Sequence, residues 1–498
     1  MGSRQAILAE TPTQPGERPV VEAELGEARL AAARAAFSPR LSPPPTPWVS
    51  RAIHGSVLVF WLLLLLAPFG LRGVWTWSAG LAYITYDTVL LAFTFWQTLP
   101  LARRAAPAIA GGPRVSVGVI VAARDEALVL PATLAALLGQ SDPPDRILIA
   151  DDGSTDDTPK VLAALYGLSP PAMGAMSISR EDVHWLRLAG GGKARAMNAA
   201  LPLIDTDVVI TVDADTLLHV DAIAAVRRAF AAEPKLVATT GVLTPVCAPT
   251  VSGQVFAWFQ TYEYIRNFLS RYAWMRLDSL LLISGAFAGF RRTAALEVGG
   301  FDPDCLVEDY ELIHRLKRHA AQQGLGWTTR VLGNAGARTE APSTVPAFLS
   351  QRRRWFGGFL QTQYWYRDMV GDRRYGVLGL AMLPVKAIDT VQPLYGLTAF
   401  VVLCGLLIQG RGGAIVPVSG VIAAKIAIDF SFQLWAIHLY RRWTGERGEV
   451  TYGHAFIASL IEPFSFQLLR HLGAAWGWVL FLTGRQTWGA QRRVGAIR

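Results

Sequence analysis

The stretch Arg146-Ile147-Leu148-Ile149-Ala150-Asp151-Asp152-Gly153-Ser154 reads as a buried strand that runs straight into an acidic turn. Its pattern repeats along the chain. Val115–Ala123 is a β-rich run followed by Asp125-Glu126, Asp207–Val212 is followed by Asp213-Ala214-Asp215, and Lys235–Leu243 makes a further strand. Helical patterns such as Ala222–Ala232 lie between them. Strands alternating with helices predict a largely parallel sheet covered on both faces. Ligands of such sheets bind at the carboxyl ends of strands, which is where these acidic residues fall.

Taken whole, the chain is too apolar for an ordinary soluble enzyme and too charged for a pure membrane bundle. Among its 498 residues, 52% are hydrophobic and 17% charged, and the mean hydropathy is +0.30. Those values predict a globular domain joined to membrane segments. The net charge of +9 could point to nucleic acid, but the arginines flank apolar runs, so the surplus is assigned to membrane orientation and no nucleic-acid partner is expected. Cys247, Cys305 and Cys404 have no paired spacing, which predicts neither a disulfide framework nor a zinc site.

Residues 1–50 are rich in Ala, Glu, Arg and Pro and end in Pro43-Pro44-Pro45; they read as a disordered cytoplasmic arm with a short helix around Glu24–Ala36. Ile53–Phe69 and Val74–Leu99 each approach the ~20 residues that cross a bilayer. With Arg40 and Arg51 before them and Arg103 and Arg104 after, residues 51–104 form a transmembrane hairpin with both flanks cytoplasmic. The α/β domain occupies 112–345. An aromatic helix, Val345–Trp365, opens an interfacial segment (346–374), followed by a transmembrane region (375–484) and a basic tail (485–498). Arg441, Arg442 and Arg447 mark a cytoplasmic loop within that region. Lys386 and Asp389 inside its first run predict an interfacial, re-entrant or cavity-lining stretch. His454–Leu482 carries Glu462, Pro463, Arg470 and His471, short for two spans and charged for one, so about two to four spans follow the domain.

Each acidic motif has an ordinary local reading. Asp213-Ala214-Asp215 and Asp151-Asp152 suit turns and helix caps, and Glu308-Asp309 complements the start of a helical pattern over Tyr310–His319. Lys193 after Gly190-Gly191-Gly192 suits a solvated helix start as well as a phosphate contact, and Ser284-Gly285 suits plain packing as well as a substrate floor. Gln351-Arg352-Arg353-Arg354-Trp355, where the domain meets the apolar tail, suits a membrane-surface anchor. Several acidic strand ends in one sheet are harder to attribute to turns alone.

In this order the motifs resemble the family-two inverting glycosyltransferases with a GT-A fold, a Rossmann-like nucleotide-diphospho-sugar transferase domain set between transmembrane helices. Within them the chain is similar to the membrane-embedded synthases of cellulose, chitin, hyaluronan and poly-N-acetylglucosamine, over about residues 112–360. The resemblance implies donor contacts by Glu126, Asp151, Asp152, Lys193 and Asp213, with Mg²⁺ or Mn²⁺ at Asp213 and Asp215. It implies an acceptor site of Ser284, Gly285, Gln351, Arg354 and Trp355, Trp355 giving a stacking face. Asp309, with Glu308 beside it, would be the catalytic base. Arg124-Asp125-Glu126 stands where the family often has Tyr-Asn-Glu, and Val307 replaces the usual Thr before Glu308-Asp309.

The expected activity is transfer of a sugar from a UDP-sugar to a growing β-linked polysaccharide, coupled to extrusion across the inner (plasma) membrane. The alternative is a non-processive transferase acting on a lipid-linked acceptor. The low span count leaves room for a second copy or an export subunit. A transporter with a nucleotide-binding domain is disfavoured because the P-loop pattern G-x-x-x-x-G-K-[ST] is absent.

Overall fold

The computed structural model describes residues 21–103, 113–179, 183–445 and 452–484. Arg104, Arg447, the expected first domain residue 112 and the tail 485–498 lie outside the described residues. The chain enters through α1 (Val21–Phe37), α2 (Trp48–Gly70) and α3 (Ser78–Thr98). The α/β domain then runs β1 (Val117–Ala123), α4 (Leu130–Leu138), β2 (Arg146–Asp151), α5 (Thr158–Tyr166), β3 (Met176–Ile178), β4 (Val183–Arg187), α6 (Lys193–Ala200) and β5 (Val208–Asp213). It continues through β6 (Thr216–Leu218), α7 (Ala222–Ala232), β7 (Leu236–Val246), α8 (Val251–Met275), β8 (Phe287–Arg291), α9 (Arg292–Glu297), α10 (Glu308–Gln323) and β9 (Thr328–Glu340).

All nine strands join one sheet in the order β3-β4-β2-β1-β5-β8-β7-β9-β6. The Val/Ile-rich strands β1, β2 and β5 pair in parallel at its centre and are buried on both faces, which is why they read as unbroken apolar runs. The expectation of a largely parallel sheet needs correction, because β5–β8, β7–β8, β6–β9 and β3–β4 run antiparallel. β8 inserts between β5 and β7, so the sheet is mixed. The order reverses at β1, where β2 lies on one side and β5 on the other, and the crevice beyond their carboxyl ends is the favoured ligand position.

The arm is also corrected over its described part: α1 is ordered and docked. Leu30 is buried, and the buried Arg34 donates from Nη1 to the carbonyls of Gly299 (2.7 Å) and Phe301 (2.9 Å). Arg40 makes a two-point pair with the buried Asp302, at 2.8 and 2.9 Å. Gly299 has φ +90°, and a Cβ there would fall 2.3 Å from Arg34 N, so only glycine admits this contact. The arm looked disordered because its apolar content is low; its partners lie about 270 residues away (|i−j| = 265 for Arg34–Gly299) and are polar carbonyls.

Beyond the domain come α11 (Val345–Trp365), α12 (Leu383–Ile408), α13 (Gly412–Thr444), α14 (Tyr452–Ile461) and α15 (Phe466–Thr483). Four helical segments are long and apolar enough to cross a membrane: Trp48–Gly70, Gly73–Ala102, Leu378–Ile408 and Gly412–Thr444. Two therefore follow the domain among the described residues. The last apolar run is not one of them. It breaks at Glu462-Pro463, and α15 lies against α11 instead. Gly473 and Gly477 make that crossing close, since a Cβ would strike Arg352 Cβ at 2.5 Å or Phe356 Cβ at 2.7 Å.

Arg34→Ala should lower the unfolding free energy by about 1.5–3 kcal/mol, because two carbonyls lose a charged donor. Thermal melting of the detergent-solubilised protein reads this, and an unchanged midpoint would show that the docked arm adds nothing to stability.

Candidate active site

One cavity of about 1090 Å³ opens at the carboxyl ends of β1, β2 and β5 and reaches the polar side chains Lys386, Asp389 and Gln392 of α12. Every predicted site residue except Asp151 lines it. Asp151 is the correction. It is buried, one oxygen accepts from Ser154 N–H (2.8 Å) and the other from Trp185 Nε1–H (3.2 Å), so it shapes the turn rather than facing the cavity.

The turn after β2 is locked to the turn after β1. Asp125, at φ +56°, accepts from the N–H groups of Thr155 (2.7 Å) and Asp156 (3.2 Å), and its own N–H donates to Ser154 Oγ. The Thr155 amide holds the Asp125 carboxyl below its usual range. Glu126 follows, buried, with its N–H donating to Thr158 Oγ1 at 3.1 Å. Asp152 accepts from Gly192 N–H through both oxygens, at 3.1 and 2.9 Å, which ties the glycine loop before α6 to this edge. Burial raises the Asp152 carboxyl, against the opposing pull of Gly192 and Arg124.

Lys193, first residue of α6, reaches across to β5. Its Nζ bonds Asp213 Oδ1, lies 3.9 Å from Glu308 Oε1 and 3.5 Å from the Gly285 carbonyl. Burial opposes its charge, but Asp213, Glu308 and Asp309 together raise it above the ordinary lysine value. Burial likewise raises Glu308, with Lys193 and Arg354 pulling the other way. Asp213 is partly exposed at the strand end, whereas Asp215 is buried. Both offer oxygen only. Among the described residues no group of three or more His, Cys, Asp or Glu side chains is arranged to hold a metal ion. That donor set fits a hard cation such as Mg²⁺ or Mn²⁺ completed by phosphate and water oxygens, not a protein-caged metal.

Asp309 opens α10. Its Oδ1 accepts from Tyr310 N–H (2.8 Å) and its Oδ2 from Gly285 N–H (2.6 Å), so the carboxylate is oriented by two backbone donors. A Cβ at position 285 would meet Oδ2 at 2.9 Å, which explains a glycine there. Ser284 N–H lies 3.4 Å from Thr240 Oγ1 on the sheet.

The basic cluster at 351–355 turns inward. Arg352 is buried and donates to Glu263 of α8 through both guanidinium arms, at 2.9 and 2.8 Å, with its carbon 4.6 Å from the rings of Phe348 and Trp355. Arg353 lies over Trp476 of α15, and Arg354 donates to the Leu306 carbonyl just before α10. Trp355 therefore has one face covered, and Gln351 Oε1 is buried without a hydrogen-bond partner. Sequence reading missed Glu263 and Arg352. The available signal was a lone carboxylate in the aromatic run Trp258–Tyr264, which needs a cation when buried.

The family description "Glycosyl transferase family group 2" matches residues 208–416. The chain is 26% identical over 290 residues to the poly-beta-1,6-N-acetyl-D-glucosamine synthase of Staphylococcus epidermidis, covering 58% of this chain and 63% of that one. It is 27% identical over 299 residues to the beta-monoglucosyldiacylglycerol synthase of a Nostoc species, covering 55% of this chain and 57% of the relative. The matches thus span less than two thirds of these relatives' length. The fold is shared with a mannosyltransferase from Pyrobaculum calidifontis solved with GDP-Man and Mn²⁺ (TM-score 0.52, 19% identity, 82% of this chain and 99% of that chain) and is of the GT-A type.

Glu263→Ala should destabilise the protein by about 3–5 kcal/mol by stranding the Arg352 charge. Glu263→Ala with Arg352→Met should recover most of it in thermal melts; equal loss in both would mean the pair is not what holds α8 to α11.

Proposed function

We propose that this chain, whose residues 208–416 match the description "Glycosyl transferase family group 2", transfers a sugar from a UDP-sugar to a hydroxyl bound in the long cavity, by one inverting displacement. The observation that carries this reading is the Asp309 carboxylate, fixed by Gly285 N–H and Tyr310 N–H at a helix start and facing a cavity that Asp213 also borders. Inversion needs one base and no protein nucleophile. Asp309 takes the proton of the acceptor hydroxyl as its oxygen bonds the anomeric carbon. The bond from that carbon to the diphosphate breaks, UDP leaves with the electron pair, and an α-linked donor yields a β-glycoside.

On the donor side, Glu126 and Asp152 hold the nucleoside part, and Lys193 and Arg354 meet the diphosphate. Held by Asp213 and Asp215, Mg²⁺ or Mn²⁺ would supply charge neutralisation to the leaving diphosphate. Lys193 already neutralises Asp213, so binding the donor means sharing that carboxylate. On the acceptor side, Ser284, Gln351 and Trp355 orient the sugar; the buried, unpartnered Gln351 Oε1 is ready to accept a hydroxyl.

The acceptor of this reading is a growing polysaccharide in an inner-membrane, multi-pass protein with a cytoplasmic domain. What supports it is the reach of the cavity beyond Asp309 to Lys386, Asp389 and Gln392 within the α12 segment, room for a chain rather than one sugar. The second reading, a lipid acceptor, is favoured by the equal similarity to the glucolipid synthase.

Metal-dependent UDP release by the detergent-purified full chain, over a panel of UDP-sugars with products sized, tests both. A long polymer supports the first reading, and a single sugar on lipid replaces it with the second. Asp309→Asn should lose roughly 10²–10⁴-fold in turnover while binding UDP within about twofold; undiminished turnover would remove Asp309 as the base. Gly285→Ala should push the carboxylate aside and lower kcat roughly 100-fold at similar UDP affinity. Wild-type kcat in that variant would detach the Gly285 contact from the mechanism.

A further inference from the structure

The cavity has a wall that the transfer reaction above does not use. Helix α8 presents Tyr264, Asn267 and Arg271 to it, at i, i+3 and i+7 along one face. Other cations on the lining have partners: Arg124 pairs with Asp152, Lys193 with Asp213, Arg352 with Glu263, Lys386 with Asp389, and Arg470 with Glu263 and Glu462, while Arg354 donates to the Leu306 carbonyl. Arg271 is different. Its Nε and Nη1 are buried without a hydrogen-bond partner, and among the described residues no carboxylate pairs with it. Its guanidinium carbon lies 4.4 Å from the centre of the Phe268 ring. Burial pushes it down to about 10, only partly countered by Tyr264 and Asp309.

We propose that Arg271 is a subsite for an anionic group, a carboxylate or a phosphate, carried by the acceptor next to the hydroxyl that Asp309 deprotonates. The inference rests on the reading of the cavity as a glycosyl-transfer site. Two guanidinium nitrogens buried without an acceptor, on a side chain only half-buried at the cavity wall, are costly unless a ligand supplies the anion, and the planar fork suits carboxylate and phosphate alike. With Lys193 and Arg354 assigned to the donor diphosphate, Arg271 is left for the acceptor. It lies on the α8 wall of the cavity that Asp309 also borders, with the exposed Asn267 and the half-buried Tyr264 beside it for hydroxyls.

Equilibrium binding to the full-length protein in detergent, with UDP saturating, tests this with two matched pairs of probes. One pair is a glucuronate-containing oligosaccharide and a neutral gluco-oligosaccharide of equal length; the other is phosphatidylglycerol and diacylglycerol in mixed micelles. The acidic member of at least one pair should bind roughly tenfold tighter or more, and which pair responds tells a glycan carboxylate from a lipid phosphate. Arg271→Gln should erase the preference to within about twofold, Arg271→Lys should keep part of it, and UDP affinity should hold in both. Acidic and neutral probes binding alike in both pairs to the unmodified protein would overturn the proposal, as would loss of UDP affinity in Arg271→Gln. If turnover is absent while the preference stands, the transfer reading fails and the anion subsite survives.

Discussion

Burying a charge where a globular domain meets a membrane requires a partner, and here the partner is Glu263. Arg352 is taken out of water by α15, whose Gly473 lies against its Cβ, and both guanidinium arms go to the Glu263 carboxylate on α8. Arg470 of α15 reaches the same carboxylate at 3.5 Å and Glu462 at 3.9 Å, and Glu462 also binds Arg266 of α8. Three helices are thereby fixed to one another by ions that none could bury alone. The cavity is the space these helices leave in front of the sheet. Its walls are only as rigid as that network.

Within those walls the chemistry is assembled from chain ends of regular elements. Asp213 ends β5, Lys193 begins α6 and Asp309 stands in the first turn of α10, so each functional group rides on a buried element yet points into open space. Backbone amides do the final aiming, Gly285 for Asp309 and Gly192 for Asp152. The helix start favours a carboxylate at Asp309, and the small residue at 285 is what lets the loop come within hydrogen-bonding distance. α1 and the turn after it add an outer clasp, because Arg34 and Arg40 hold residues 299–302, the loop that leads into α10. Function in this design depends on contacts between segments hundreds of residues apart.

The membrane-facing helices carry the same logic outward. Leu62, Leu63, Leu66 and Phe69 of α2 are exposed, as are Val401, Leu407 and Ile408 of α12, giving an apolar outer surface. Polar groups of the same helices turn inward: Lys386 pairs with Asp389, which also accepts from Tyr86, while Lys425 bridges Asp87 and Asp429. Charges in such helices persist where they are paired or line a cavity. Lys386 and Asp389 do both and carry polar groups of the cavity into α12, whereas the Lys425 cluster persists by pairing.

Read alone, the chain determined a good deal. The parallel centre of the sheet was legible because β1, β2 and β5 are buried on both faces and so read as unbroken apolar runs. The bounds Val345–Trp365 were legible because caps and aromatic periodicity are local, and acidic residues at strand ends pointed to the crevice because strands deliver their ends there. What only the tertiary structure decided was pairing. The antiparallel insertion of β8, the inward turn of Arg352, the docking of α1 and the fate of the last apolar run each depend on a partner distant in sequence. Asp151 and Asp152 show the limit most sharply. They are adjacent and chemically identical, yet Trp185 and Ser154 claim one while the other faces the cavity, because the alternating direction of side chains along an extended chain sends neighbours to opposite sides.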